Sequence, residues 1–198
     1  MRIQREGQRQ NLVESREKSL VLSGITWQQF KDLESSFDPI AGVRLVYWDG
    51  VLQIVILGDE HEYYKRTISL LLEAYLRYQE IRFYSQGSAT LGDERVGVQK
   101  EPDESYSFGS RKTIPDLAIE MVVSSGGIDT LDIYGRLGIQ EVWFWEDGLL
   151  TVYSWQGEYR RVKRSGLLPD LDLDLLMKYI VYHDQYDAVN DFIEELSG

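Results

Sequence analysis

The chain has 198 residues, enough for one domain of ordinary size, with 43 % apolar residues and a net charge of −12. It contains no cysteine, which excludes disulfides, thiolate zinc sites and cysteine nucleophiles and fits a cytoplasmic setting. Two histidines lie far apart in sequence, no apolar stretch is long enough to span a bilayer, and the negative charge repels phosphate backbones on average, so a nucleic-acid partner requires a local basic patch or a divalent metal.

Residues 1–22 are polar and charged without an apolar signal-peptide core, and are expected to be a flexible or peripheral lead to a single domain over 23–198. Thr26 to Gln29 has the form of a capping box, predicting a short helix. The runs VRLVYW and VLQIVI, joined by Asp49-Gly50, predict a hairpin. Ile68, Leu71, Leu72, Tyr75 and Leu76 carry helical spacing, with Asp59 in position to cap the helix. One or two short strands are expected at 81–91, a loop over DERVGVQK, and a strand over 103–108. A buried strand follows at 115–123, then a Ser-Ser-Gly-Gly loop and a helix near 129–136. Asp147-Gly148 turns a second hairpin, EYRRVKR adds a strand, and the tail reads as two helices. In LPDLDLDLL the alternating aspartates predict an edge element or helix cap with the acids facing solvent. Helices and strands in this order predict a mixed α/β domain on one sheet.

Glu120 poses the chemical question. On a strand its neighbours Ala118 and Val122 share its face, while Leu117, Ile119, Met121 and Val123 point the other way. A buried carboxylate must be paired, liganded or open to a cleft. Asp116, four residues back, lies roughly 13 Å away along a strand, too far to share one ion. Asp103 is nearer if its strand pairs antiparallel through the loop at 109–113, since neighbouring strands lie about 4.8 Å apart. For Asp103 a plain turn residue after Pro102 is an equal reading. The aromatic hairpin around Trp143, Phe144, Trp145, Tyr153 and Trp155 reads first as core and cross-strand packing, second as a base-stacking surface.

The stretches EPDESY, RKTIPDLAIEMV and SSGGIDTLDIYGRLGIQEVWFW, with RLVYWDG, GDEHEYYKRTI and LPDLDLDLL, together resemble the Uma-type restriction endonuclease family of cyanobacteria, within the PD-(D/E)XK nuclease superfamily. The resemblance runs from Trp27 to the C-terminal helices and implies a restriction-endonuclease-like fold, a mixed central sheet flanked by helices. It implies that Asp103 and Glu120 bind Mg²⁺ or Mn²⁺, with Glu62 in support, and that DNA is the substrate.

Three positions depart from the family pattern. The superfamily lysine two residues after the second acid is Val122 here, and the slot to which the Uma-type lysine moved, on the following helix, holds Thr130. Gln53 stands where relatives carry glutamate, and Ile56-Leu57-Gly58 replaces a Ser-Pro turn. Lys112 is the candidate substitute cation, with Lys65 and Arg136 behind it, and each has a surface reading as well; His61, at a helix start, reads first as a capping or solvated residue and second as a base or phosphate holder. Two functions follow: a Mg²⁺-dependent endonuclease, weakened by Thr130, or a non-catalytic binding module on the same scaffold. Double-strand cleavage needs two sites, which makes a homodimer an expectation.

Overall fold

The computed structural model describes residues 18–122 and 129–198. The lead up to residue 17 and the loop at 124–127 lie outside these. Lys18–Ser23, which overlaps the end of the expected lead, is a strand, β1, at the edge of the first sheet and paired antiparallel with β3 (Val51–Ile56). Helix α1 (Trp27–Phe37) opens on the predicted capping box, with Thr26 and Gln29 bonded reciprocally. β2 (Val43–Trp48) and β3 form the first hairpin. Its turn residues Asp49 and Gly50 have φ of 45° and 87°, the type I′ geometry that Asp-Gly favours. Helix α2 (Asp59–Tyr78) follows, with Gly58 rather than Asp59 in the capping position.

The chain then crosses between two sheets, where one was expected. β4 (Phe83–Ser85) belongs to the second sheet, β5 (Leu91–Asp93) and β6 (Val98–Lys100) to the first, and β7 (Glu104–Phe108) returns to the second. The expected loop over DERVGVQK is therefore the turn and second strand of a β5–β6 hairpin, with Asp93 opposite Val98 and Leu91 opposite Lys100, and Val98 and Gln99 also pair with Trp48 and Tyr47 of β2. β8 (Leu117–Met121), α3 (Thr130–Leu137) and β9 (Glu141–Glu146) make a parallel crossover. β10 (Leu149–Trp155) and β11 (Tyr159–Val162) complete the second sheet, and α4 (Leu173–Ile180) and α5 (Gln185–Ser197) end the chain. The sheet orders are β1-β3-β2-β6-β5 and β11-β10-β9-β8-β7-β4. The fold class is mixed α/β, as expected.

The alternation of β8 sets two cores. Leu117, Ile119 and Met121 pack with Trp143, Trp145 and the apolar stripe of α2, beneath α4 and α5. Each such side chain removed from water contributes roughly 1.5–3 kcal/mol. On the other face Ala118, Val142 and Phe144 meet Ile133, Tyr134 and Leu137 of α3, together with Val46 and Val98 of the first sheet. Trp143 and Trp145 are thus core residues, the first of the two readings made for this hairpin. Asp172 caps α4, accepting from the backbone N–H of Asp174 and Leu175. Among the described residues no helix is long and apolar enough to cross a membrane.

Candidate active site

β7 runs antiparallel to β8 with Glu104 opposite Ile119 and Ser105 opposite Ala118. Continued by one residue, this register sets Asp103 opposite Glu120. The Met121 N–H donates to Asp103 Oδ2 at 2.7 Å, which fixes the carboxylate against the neighbouring strand. Both acids are buried and both line a cavity of about 420 Å³ between the two sheets.

The cavity's cations come from the first sheet. Lys100, the last residue of β6, places its ammonium 3.1 Å from Glu120 Oε1 and 3.3 Å from Oε2. It is 8 % exposed, an unusual setting for lysine. Tyr134 of α3 donates its hydroxyl to Glu120 Oε1, and its ring centroid lies 5.8 Å from the Lys100 ammonium. Arg44 of β2 is 3.6 Å from Asp103 Oδ1 and donates to Pro102 O and Ser88 Oγ at 3.1 Å each. His61, in the first turn of α2, is 2 % exposed, with Nε2 at 3.1 Å from Asp103 Oδ1. Among the described residues its Nδ1 has no hydrogen-bond partner, and Glu62 Oε1 lies 3.6 Å away.

The two acids titrate in opposite directions. Burial pushes Glu120 up, and the nearby Asp103 charge adds to this; Lys100 and Tyr134 only partly offset it. Burial also pushes Asp103 up, but His61, Arg44 and the Met121 N–H together outweigh it and hold Asp103 below the usual carboxylate range. Burial pulls His61 down, yet its bond to Asp103 and that carboxylate's charge raise it above 6.5 overall. Burial raises Tyr134 well above its ordinary value, reinforced by Glu120, so it stays a donor.

The other residues singled out in the sequence lie differently. Lys112 is bound to Asp116, 2.7 Å from each carboxylate oxygen, and does not line the cavity. Asp116 also accepts from the Phe108 N–H, so it serves the β7–β8 connection. Glu62 is half-exposed, pairs loosely with Lys65 at 3.5 Å, and lines no part of the cavity. Arg136 is held by Asp49 at 2.7 Å. Thr130 and Gln53 do line the cavity. His61, which sequence reasoning left as a capping or solvated residue, is a buried partner of Asp103. Lys100 was missed altogether, because its local sequence reads as loop. The one available signal was its place three residues before Asp103, at the point where the chain leaves one sheet for the other.

The domain is of mixed α/β class, and two carboxylates from its second sheet line one cavity. The chain belongs to the Uma2 family, described as "putative restriction endonuclease", whose model matches residues 27–178. Among solved structures it is similar to a "putative nuclease belonging to DUF820" from Anabaena variabilis ATCC 29413, at 15% sequence identity and a TM-score of 0.46, over 75% of this chain and 90% of that one. No curated protein matches the chain.

Proposed function

We propose that the chain is a divalent-metal-dependent nuclease that hydrolyses DNA phosphodiester bonds in the cavity between its sheets. One juxtaposition carries this reading: Asp103, one residue before β7, and Glu120 of β8 stand opposite each other and line a single cavity. Family membership supports the same reaction class.

The donor set fits Mg²⁺ or Mn²⁺. Glu101, Asp129 and Glu146 also line the cavity, so carboxylates outnumber Arg44 and Lys100 there, a field that attracts a divalent cation. Among the described residues no three or more His, Asp or Glu side chains form a protein cage. Magnesium does not need one, since it commonly takes one or two carboxylates and fills its remaining positions with water and substrate phosphate. Asp103 and Glu120 are the residues that would hold it. When bound, the ion activates water and neutralises charge on the phosphate. His61 and the Met121 N–H keep the Asp103 carboxylate oriented, and Tyr134 does the same for Glu120. The reading includes a homodimer for double-strand breaks, since one site cuts one strand.

The direct assay is nicking of supercoiled plasmid with Mg²⁺ or Mn²⁺. The wild type should nick only with metal, and Glu120→Ala should lose about 100-fold or more. Equal nicking by the variant refutes the assignment. A second reading, a binding module without catalysis, is favoured by Thr130 in the family's lysine slot. Metal binding without any cleavage would establish it instead.

A further inference from the structure

The geometry points to Lys100 as the cationic catalytic residue of this site, supplied from β6 in place of the lysine that α3 lacks. The inference rests on the nuclease reading above. Three observations carry it. First, a buried lysine is costly and uncommon, and this one ends on Glu120, one of the two acids of the site. Second, an ammonium has three N–H donors, whereas among the described residues its hydrogen-bonding partner is one carboxylate. A donor is therefore left for a water or phosphate oxygen in the cavity that Lys100 lines. Arg44 stands instead beside Asp103, with its guanidinium tied to the β2 side of the cavity by Pro102 O and Ser88 Oγ. Third, Thr130 at the start of α3 lines the same cavity. A cation entering from β6 and one entering from α3 would reach a common space, so the two positions are alternative anchors for one function.

In the step assigned to it, a water oxygen bonds to phosphorus while the bond from phosphorus to the leaving sugar oxygen breaks. The water's proton ends on that leaving oxygen. Lys100 serves as a hydrogen-bond donor. It donates to the attacking water or to a non-bridging phosphate oxygen, where negative charge develops in the transition state. It is not present as a general base.

The alternative is a purely structural counter-ion for Glu120, and rescue separates the two. Lys100→Met should lower kcat for plasmid nicking about 100-fold or more, with KM for DNA little changed. Adding Thr130→Lys to Lys100→Met should restore roughly tenfold or more of the lost rate, a return from a new anchor that tolerates imperfect placement. Should Lys100→Met fail to fold, Lys100→Cys offers a second route, because the chain has no other thiol. Alkylation of that cysteine with bromoethylamine rebuilds a side chain ending in an ammonium, and cleavage should return with it. Wild-type kcat in Lys100→Met overturns the inference. So does an alkylated protein that regains its melting temperature without cleavage, or a folded double variant no faster than Lys100→Met. A wild type that never cleaves with metal removes the nuclease reading itself, and this inference with it. A wild type that cleaves with Lys100 dispensable removes this inference alone.

Discussion

Glu141 offers a sharp test of the physical reasoning, because it is a buried carboxylate outside the proposed site. It is 1 % exposed at the start of β9. Its Oε1 accepts from Trp143 Nε1 at 2.7 Å and from Ser165 Oγ at 2.5 Å, and its Oε2 accepts from the Gly166 N–H at 2.8 Å. Ser165 Oγ in turn accepts from the Leu168 N–H at 2.9 Å, so the carboxylate pins the segment leading to α4 onto the sheet. Glu141→Leu leaves three donors without an acceptor. Each buried orphan costs about 1–3 kcal/mol. The Ser165 hydroxyl can turn to another acceptor, and the relief of no longer burying a carboxylate offsets part of the loss. The net expectation is a destabilisation of about 3 kcal/mol, which for a chain of this size lowers Tm by roughly 6–12 °C. Glu141→Gln keeps one acceptor oxygen but turns an NH₂ toward the Gly166 N–H, and should cost about half as much. Urea unfolding followed by tryptophan fluorescence and far-UV circular dichroism measures both variants. Metal-dependent cleavage at a temperature where both remain folded should be unchanged. A Glu141→Leu protein less than about 1 kcal/mol below wild type would refute the hydrogen-bond reasoning. A Glu141→Gln protein that loses cleavage while folded would refute the separation of structural from functional carboxylates.

Two further outcomes follow from the structure. His61 has a folded value raised above 6.5, so its contribution to stability is fully present below pH 6.5 and is lost as pH rises through that raised value. In metal-free buffer the urea midpoint should therefore decline on the alkaline side of pH 6.5, and His61→Gln should flatten the decline; an equal decline in the variant counts against the His61–Asp103 bond. Thr26→Ala removes the side-chain half of the α1 capping box and should cost about 1 kcal/mol by urea titration, a change within error being the contrary result.

The elements most legible in the sequence are those with a local physical cause. Asp49-Gly50 and Asp147-Gly148 adopt the positive φ pair that a tight hairpin demands, and the hairpins lie where those dipeptides stand. Thr26 and Gln29 bond within one turn, so the α1 start needed no tertiary information. The alternation along β8 likewise announced which face would carry Glu120. Less legible were the features created by distant contacts. β6 is three residues long, pairs along its length with β5 just before it, and joins the first sheet because β2, some fifty residues earlier, pairs with Val98 and Gln99. Nothing in Val98-Gln99-Lys100 taken alone distinguishes it from the surrounding turn chemistry. Lys100 itself pairs with Leu91 of β5, and the place of this β5–β6 hairpin beside β2 turns an ordinary-looking surface lysine into the cation facing Glu120. Lys112 shows the reverse case. It precedes the Glu120 strand in sequence, but Asp116, one helix-like step away, captures it first. The register that sets Asp103 against Glu120 was foreseeable from the hairpin length. That His61 would reach Asp103 from α2 was not, since it depends on how that helix docks on the sheet.

The account depends on Asp103 and Glu120 sharing one divalent ion. Crystals soaked in Mn²⁺, with data collected at the manganese absorption edge, test this most directly. The account predicts an anomalous peak in the cavity with a carboxylate oxygen from each of Asp103 and Glu120 within about 2.0–2.6 Å. No peak at this pair, with the Lys100 ammonium still resting on both oxygens of Glu120, would contradict it.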